Sequence, residues 1–212
     1  MNNQTFAIRL NLTLQSAFVK FFMPQNHSVN LVPDILIAMG ANLPSVTGVP
    51  FETLRAAIKL MPTLGIEPIA CSSFYSTPAI APYVQAPYVN AVIAVASAHP
   101  AAELLRILHR LEEVFGRKRG QRWDSRTLDL DLLDCRGEVL PFPDHMFWGP
   151  AGGGGTRPLS LPHPLLAERA FVLVPLAEIA PQWRHPVTGE LATELLERLG
   201  PKGRNGIKLL NH

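Results

Sequence analysis

The sequence predicts a single domain that mixes β-strands with α-helices, and three observations carry that expectation. Its 212 residues suit one well-buried domain and do not demand a second. Apolar residues recur at two periods: every second position over 88–97 and 127–133, as on a strand, and in steps of three and four over 51–61 and 104–115, as on a helix. No internal repeat or second domain is visible along the chain.

Composition narrows the function classes. Apolar residues make up 47% and the formal charge is +2, ordinary for a globular enzyme and too neutral for a bulk nucleic-acid binder. A site for a polyanion would therefore be local. The two cysteines, Cys71 and Cys135, lie far apart in strand-like segments and read as reduced core or near-core thiols of a cytoplasmic protein. The seven histidines show no H-x-x-H or H-E-x-x-H spacing, so there is no zinc signature.

The first 33 residues carry no acid and only Arg9 and Lys20 as bases. They lack the charged start and cleavage site of a signal peptide, and the apolar run between Arg9 and Lys20 is too short to span a membrane. They are expected to be a disordered extension or to precede a later start, with Met23 a candidate. The domain itself is expected over 34–200, followed by a frayed tail over 201–212.

Taken in order, Asp34 to Gly40 reads as a buried strand that enters a turn at Gly40 and Asn42, two residue types that tolerate unusual backbone angles. Phe51, Leu54, Ile58 and Met61 mark a helix that Pro62 and Gly65 end. A second strand is expected from Ile66 to Tyr75, and Pro78 holds Thr77 extended. Pro78, Pro82 and Pro87 stiffen the loop that follows. On the strand from Tyr88 to Ser97, Tyr88 and Asn90 share one face, a pairing able to stack on a flat heterocycle and hydrogen-bond its edge. Pro100 opens a helix with Leu104, Leu108, Leu111 and Phe115 on one side, and Gly116 is placed to end it.

The stretch from Arg117 to Leu133 concentrates the chemistry. Basic residues, Arg117, Lys118, Arg119, Arg122 and Arg126, come directly before a strand on which Leu128, Leu130 and Leu132 share one face and Asp129 and Asp131 the other. The two acids stand about 7 Å apart along the strand, close enough to hold one or two hard cations. Paired acids fed by arginines suit transfer of a phosphoryl or nucleotidyl group. Arg136-Gly137 reads as a hairpin turn, and the Pro/Gly-rich stretch 141–157 as a surface insertion, since no Gly-Lys-Ser/Thr or helix pattern accompanies Gly152–Gly155. His163 stands between two prolines that would aim its ring. Arg169 and Phe171 open an apolar segment to Ile179, and Leu191, Leu195 and Leu199 mark a short helix.

Together these motifs resemble the 6-hydroxymethyl-7,8-dihydropterin pyrophosphokinase family, over about Asp34 to Glu197. The matching segments, in order, are Gly40-Ala-Asn42-Leu, Ser72 to Pro78, Gln85 to Asn90, Leu111-Glu112 to Arg117, Arg122-Trp123 to Asp131, Leu161 to Pro164, and Arg169 to Leu176. Arg126-Thr-Leu-Asp-Leu-Asp131 is the most specific of them. The resemblance implies an α+β, ferredoxin-like sheet of mixed or antiparallel strands with helices on both faces. It implies transfer of diphosphate from ATP to a pterin alcohol in folate biosynthesis, with two Mg²⁺ ions between Asp129, Asp131 and the phosphates. Thr77, Tyr88, Asn90 and Phe171 would hold the pterin. Glu112, Arg117, Trp123, Arg126, His163 and Arg169 would meet ATP, Trp123 from a loop that closes over the site, and Arg117 and Arg126 would also act in catalysis. The partners implied are these small molecules, with no nucleic acid or membrane, and the chain would act as a monomer.

This chain departs from the family pattern at Asp124-Ser125, where Gly-Pro is usual, and at 141–157, which has no counterpart. Two other readings stay open at this point. A different two-metal phosphotransferase would share the acids and arginines without needing Tyr88, Asn90 and Phe171. A non-enzymatic ferredoxin-like module would show a wider basic surface.

Overall fold

The computed structural model of the chain describes residues 33–117, 124–140 and 159–211. Nearly all of the expected N-terminal extension, Trp123 with Lys118, Arg119 and Arg122, and the whole of the Pro/Gly-rich stretch 141–157 lie outside the described residues.

Strand β1 (Ile35–Ala41) is apolar throughout and buried on both faces, which places it inside the sheet. Helix α1 (Pro50–Leu60) starts on a proline, whose missing N–H costs nothing in a first turn, and Glu52 reaches back to accept from the Val49 amide at 3.0 Å. Its buried stripe is Leu54, Ala57 and Leu60. A 3₁₀ turn (Met61–Leu64) follows, and Gly65, at a φ of 72°, leaves it.

The single strand expected over 66–75 is two strands, β2 (Glu67–Cys71) and β3 (Tyr75–Thr77). The break begins at Ser72. Its amide donates to the Val92 carbonyl (2.9 Å), while its hydroxyl oxygen accepts from the Val92 amide (3.0 Å), so a side chain takes over a ladder bond and diverts the strand. Glu178 then holds the broken edge, accepting from the Ser73 amide (2.9 Å) and the Tyr75 hydroxyl (2.8 Å).

Both short strands pair with β4 (Tyr88–Ala96), whose residues from Asn90 to Val95 are buried. Helix α2 (Ala101–Val114) buries Leu104, Leu108 and Leu111 as its spacing predicts, and Gly116 (φ 82°) turns the chain away. Strand β5 (Asp129–Cys135) ends in the expected tight turn. Arg136 and Gly137 both have positive φ there, and the Glu138 amide donates to the Cys135 carbonyl at 3.0 Å. Helices α3 (Ala170–Ile179), α4 (Ala192–Arg198) and the one-turn α5 (Gly200–Gly203) complete the helical part.

With a last short strand, β6 (Lys208–Leu209), all the strand pairings are antiparallel, in the order β5-β1-β4-β3-β6, with β2 also beside β4. The run β1-α1-β2/β3-β4-α2-β5 is the βαββαβ arrangement of ferredoxin-like folds. One face of the sheet, through Leu36, Ala38, Val92, Ala94 and Leu133, packs on Leu173 and Leu176 of α3, Leu195 of α4 and Trp183. Helices α1 and α2 pack on β1 and β5 from the other face. The core is anchored by a polar contact: the Trp183 ring N–H donates to the buried Asp134 carboxylate at 2.7 Å.

Two expectations are corrected here. The tail does not fray over its whole length, because Lys208–Leu209 forms β6 and pairs with Tyr75 and Ser76 of β3. Cys71 is exposed and not a core thiol, since it stands on the short β2 where only one neighbour, β4, is paired to it; Cys135 is buried, and both are free.

Candidate active site

The register of the sheet brings the site together. Gly40 of β1 lies between Asp129 on β5 and Asn90 on β4, and Ala38 pairs with Asp131. On β3, Tyr75 pairs with Asn90 and Thr77 with Tyr88. Side chains from three strands thus stand around a position that has none. Gly40 is not the turn residue its type suggests: it sits inside β1 without the positive φ of the turn glycines. It is glycine for space. A Cβ there would lie 2.9 Å from Asn90 Oδ1 and 3.6 Å from a Tyr88 ring carbon.

Over this gap opens a cavity of about 300 Å³. Thr77, Tyr88, Asn90 and Phe171 line it together with Arg126, Asp129, Asp131 and Arg169. Asn90 is fixed by donating its side-chain N–H to Thr77 Oγ1 at 2.7 Å. The Arg169 guanidinium lies 5.5 Å from the centre of the Phe171 ring. Helix α3 begins between these two residues, so its first turn presents an aromatic face and a charge side by side.

The charges are mutually compensated. Asp129 pairs with Arg117 at 2.7 Å and with Arg126. Arg117 also meets Glu112, which is buried in α2 and accepts from the Leu130 amide at 2.8 Å. Asp131 is held more loosely, with Arg169 at 3.7 Å and His163 at 3.9 Å. Burial alone would raise the Asp129 carboxyl, but Arg126 and Arg117 outweigh it and keep it below the usual carboxylate range. Burial likewise pushes Glu112 up to about 8, against the pull of Arg117 and the Leu130 amide.

These two acids tilt stability in opposite directions with pH. Asp129, lowered on folding, contributes stability above the ordinary carboxylate pKa of about 4 and loses it on further acidification. Glu112, raised on folding, costs progressively more stability as pH climbs from the carboxylate range toward about 8.

Of the residues singled out in the sequence, Thr77, Tyr88, Asn90, Arg126, Asp129, Asp131, Arg169 and Phe171 line the one cavity. Arg117, Glu112 and His163 join it through Asp129 and Asp131. Trp123 lies outside the described residues. Gln85, Asp124 and Glu168 also line the cavity and were not singled out for it. Their sequence signal is weak, since polar residues in loops are ordinary. A neighbouring cavity shares Arg126 and Asp124 and is also lined by Arg117, Ser125 and Thr127.

Among the described residues, no group of three or more His, Cys, Asp or Glu side chains is placed to cage a metal. The pair Asp129 and Asp131 nevertheless fits Mg²⁺, which commonly takes one or two carboxylates and completes its shell with substrate phosphates and water. Hard oxygen donors beside arginines suit an ion that arrives with a nucleotide. No described helix is long and apolar enough to cross a membrane.

The model of the 7,8-dihydro-6-hydroxymethylpterin-pyrophosphokinase family matches residues 36–181. The chain belongs to this family. Several relatives named 2-amino-4-hydroxy-6-hydroxymethyldihydropteridine pyrophosphokinase are similar to it. The protein from Synechocystis is 36% identical over 165 residues, 77% of this chain and 75% of the relative. That from Haemophilus influenzae is 35% identical over 76% of this chain and 90% of its own. That from Bacillus subtilis is 33% identical over 69% and 77%.

Among solved structures, the HPPK-DHPS chain of Plasmodium falciparum with SDX-DHP superimposes with a TM-score of 0.56 at 12% identity, over 82% of this chain and 46% of that one. An HPPK-DHPS chain in complex with substrates gives 0.60 at 13% identity, over 84% and 48%. At such identity these two similarities establish the fold alone. This chain spans less than half the length of either. The pyrophosphokinase fold is the ferredoxin-like α+β sheet described above.

Proposed function

We propose that this chain transfers a diphosphate from ATP to the hydroxymethyl oxygen of 6-hydroxymethyl-7,8-dihydropterin, releasing AMP, as a step of folate biosynthesis. The observation that carries this is the convergence, in one cavity, of an aromatic and amide wall with a cluster of acids and arginines. A phosphotransferase with a non-aromatic acceptor would need the acids and arginines and not the aromatic and amide groups.

Tyr88 and Phe171 would stack on the pterin, while Asn90, locked onto Thr77, would hydrogen-bond its edge. Arg117, Arg126 and Arg169 would bind the triphosphate, with His163 and Glu112 beside them. In the free chain the three arginines stand against Asp129 and Asp131, and Arg117 also against Glu112. When nucleotide binds, their forks can turn to phosphate oxygens and leave the two aspartates free to accept Mg²⁺. Two Mg²⁺ ions held by Asp129 and Asp131 would offset the phosphate charge. The chain's own groups orient the hydroxyl, bring it into line with the β-phosphorus and neutralise the leaving AMP. The catalytic domain starts at 34 and, with β6 paired to β3, runs past 200 to Leu209; it works as a monomer and acts in the cytoplasm, where both of its thiols stay reduced.

The direct test incubates the protein with ATP, Mg²⁺ and the hydroxymethyl-dihydropterin and separates the nucleotides. AMP should form in step with the pterin diphosphate, and chelating the metal should stop it. Formation of ADP instead would assign a single phosphoryl transfer. Gly40→Ala supplies a second check, because its methyl group would push Asn90 off Thr77. The KM for the pterin should rise about tenfold, equivalent to the loss of one hydrogen bond, while the KM for ATP stays near the wild-type value. Equal changes in both constants would contradict the assignment of Asn90.

A further inference from the structure

Asn42, the residue after β1, is 3% exposed and contacts two separate segments, Gln85–Ala86 and Ser125–Arg126. Its side-chain oxygen accepts from the Arg126 amide at 2.7 Å. Its side-chain nitrogen lies 3.2 Å from each of three acceptors: Gln85 Oε1, the Ala86 carbonyl and Ser125 Oγ. Ser125 closes the triangle by donating to Gln85 Oε1 at 3.1 Å. The backbone repeats the theme, since the amides of Asn42 and Leu43 both donate to the Arg126 carbonyl, at 2.9 and 3.0 Å. Arg126 is thereby gripped at its amide and its carbonyl, and the loop that leads into Tyr88 is gripped at Gln85 and Ala86.

We propose that Asn42 is a positioning residue that holds the pterin wall and the phosphate-binding Arg126 in one frame. It touches neither substrate in this scheme, which rests on the function proposed above. The two ends of the carboxamide do different work: the oxygen sets Arg126, and the nitrogen sets the Gln85–Tyr88 loop. Such a bridge matters because attack on phosphorus needs the nucleophile's carrier and the phosphate's carrier fixed relative to each other. Small misplacements of reacting groups are costly.

The chemical asymmetry of the carboxamide makes the test specific. Asn42→Asp keeps the acceptor for the Arg126 amide and puts a second acceptor against Gln85 Oε1 and the Ala86 carbonyl. The KM for the pterin should rise about tenfold or more while kcat stays within a few-fold of wild type. Asn42→Ala removes both ends, so kcat should fall by at least tenfold as well. Ser125→Ala takes one corner from the triangle with little risk to folding, and should raise the pterin KM several-fold on its own.

Steady-state kinetics on the full chain, with circular dichroism as a check on folding, reads all three. A merely structural role would lower the melting temperature and the active fraction, leaving KM unmoved. Folded variants at positions 42 and 125 with pterin KM within twofold of wild type would overturn the proposal, even though wild-type AMP formation stands. An inactive wild type would overturn the proposed function, and this inference with it.

Discussion

Replacing Asp131 with alanine is expected to reduce AMP formation by at least about a thousandfold while the fold survives. The kinetic part follows from chemistry. A carboxylate that holds a cation against the transferring phosphates supplies several kcal/mol of transition-state stabilisation, and about 4 kcal/mol is a factor of a thousand. The structural part follows from how loosely Asp131 is held. Its neighbours Arg169 and His163 stand at 3.7 and 3.9 Å, and its side chain keeps 35% of its exposure, so little native-state energy rests on it. Stability should change by no more than about 1 kcal/mol in chemical denaturation.

Asp129 is the contrasting case. Removing it would strand Arg117 and Arg126 in a partly buried site, so its loss would cost both activity and stability. An Asp131→Ala protein that forms AMP at close to the wild-type rate would defeat the metal assignment.

Arg126→Ala should lower kcat by a factor on the order of 10³, the scale set by arginines that neutralise a transferring phosphoryl group. Arg126→Lys should recover only part of this, because a lysine keeps the charge and loses the two-pronged geometry. A second consequence separates Arg126 from a general phosphate anchor. Arg126 is the foremost of the charges that hold Asp129 below the usual carboxylate range against its own burial. Without it the Asp129 carboxyl should rise. In this scheme Asp129 acts ionised and Arg126 faces it in the free enzyme, so the acid limb of the kcat/KM profile should move to higher pH in Arg126→Ala and less in Arg126→Lys. A pH profile that keeps its acid limb in place while kcat falls would show that Arg126 does not control Asp129.

Much of this arrangement is written in local order. The alternation from Leu128 to Leu132 already puts Asp129 and Asp131 on one face, because the side-chain period of a strand is two whatever surrounds it. The helical spacing of Leu104, Leu108 and Leu111 likewise returns as the buried stripe of α2. Tyr88 and Asn90 share a face for the same reason as the acids, and both line the cavity.

The rest depended on contacts between residues distant in sequence. That Gly40 is small to make room for Asn90 depends on a neighbour 50 positions away, so its residue type suggested a turn that is not there. The break between β2 and β3 depends on Ser72 competing for the backbone of Val92, and Lys208–Leu209 becomes a strand only because β3 offers it an open edge. Asn42 looked like a turn former and is a bridge between Gln85 and Arg126.

Periodicity and motif order were enough to put the two acids on one strand face and to mark the arginines and the aromatic pair as candidates. Tertiary structure decided which of them meet, which charge each acid faces, and which side chains hold the others in place. The physical reason is that periodicity is a property of neighbouring residues. Space-filling, ion pairing and hydrogen-bond competition come into being only when strands far apart in the chain are laid side by side.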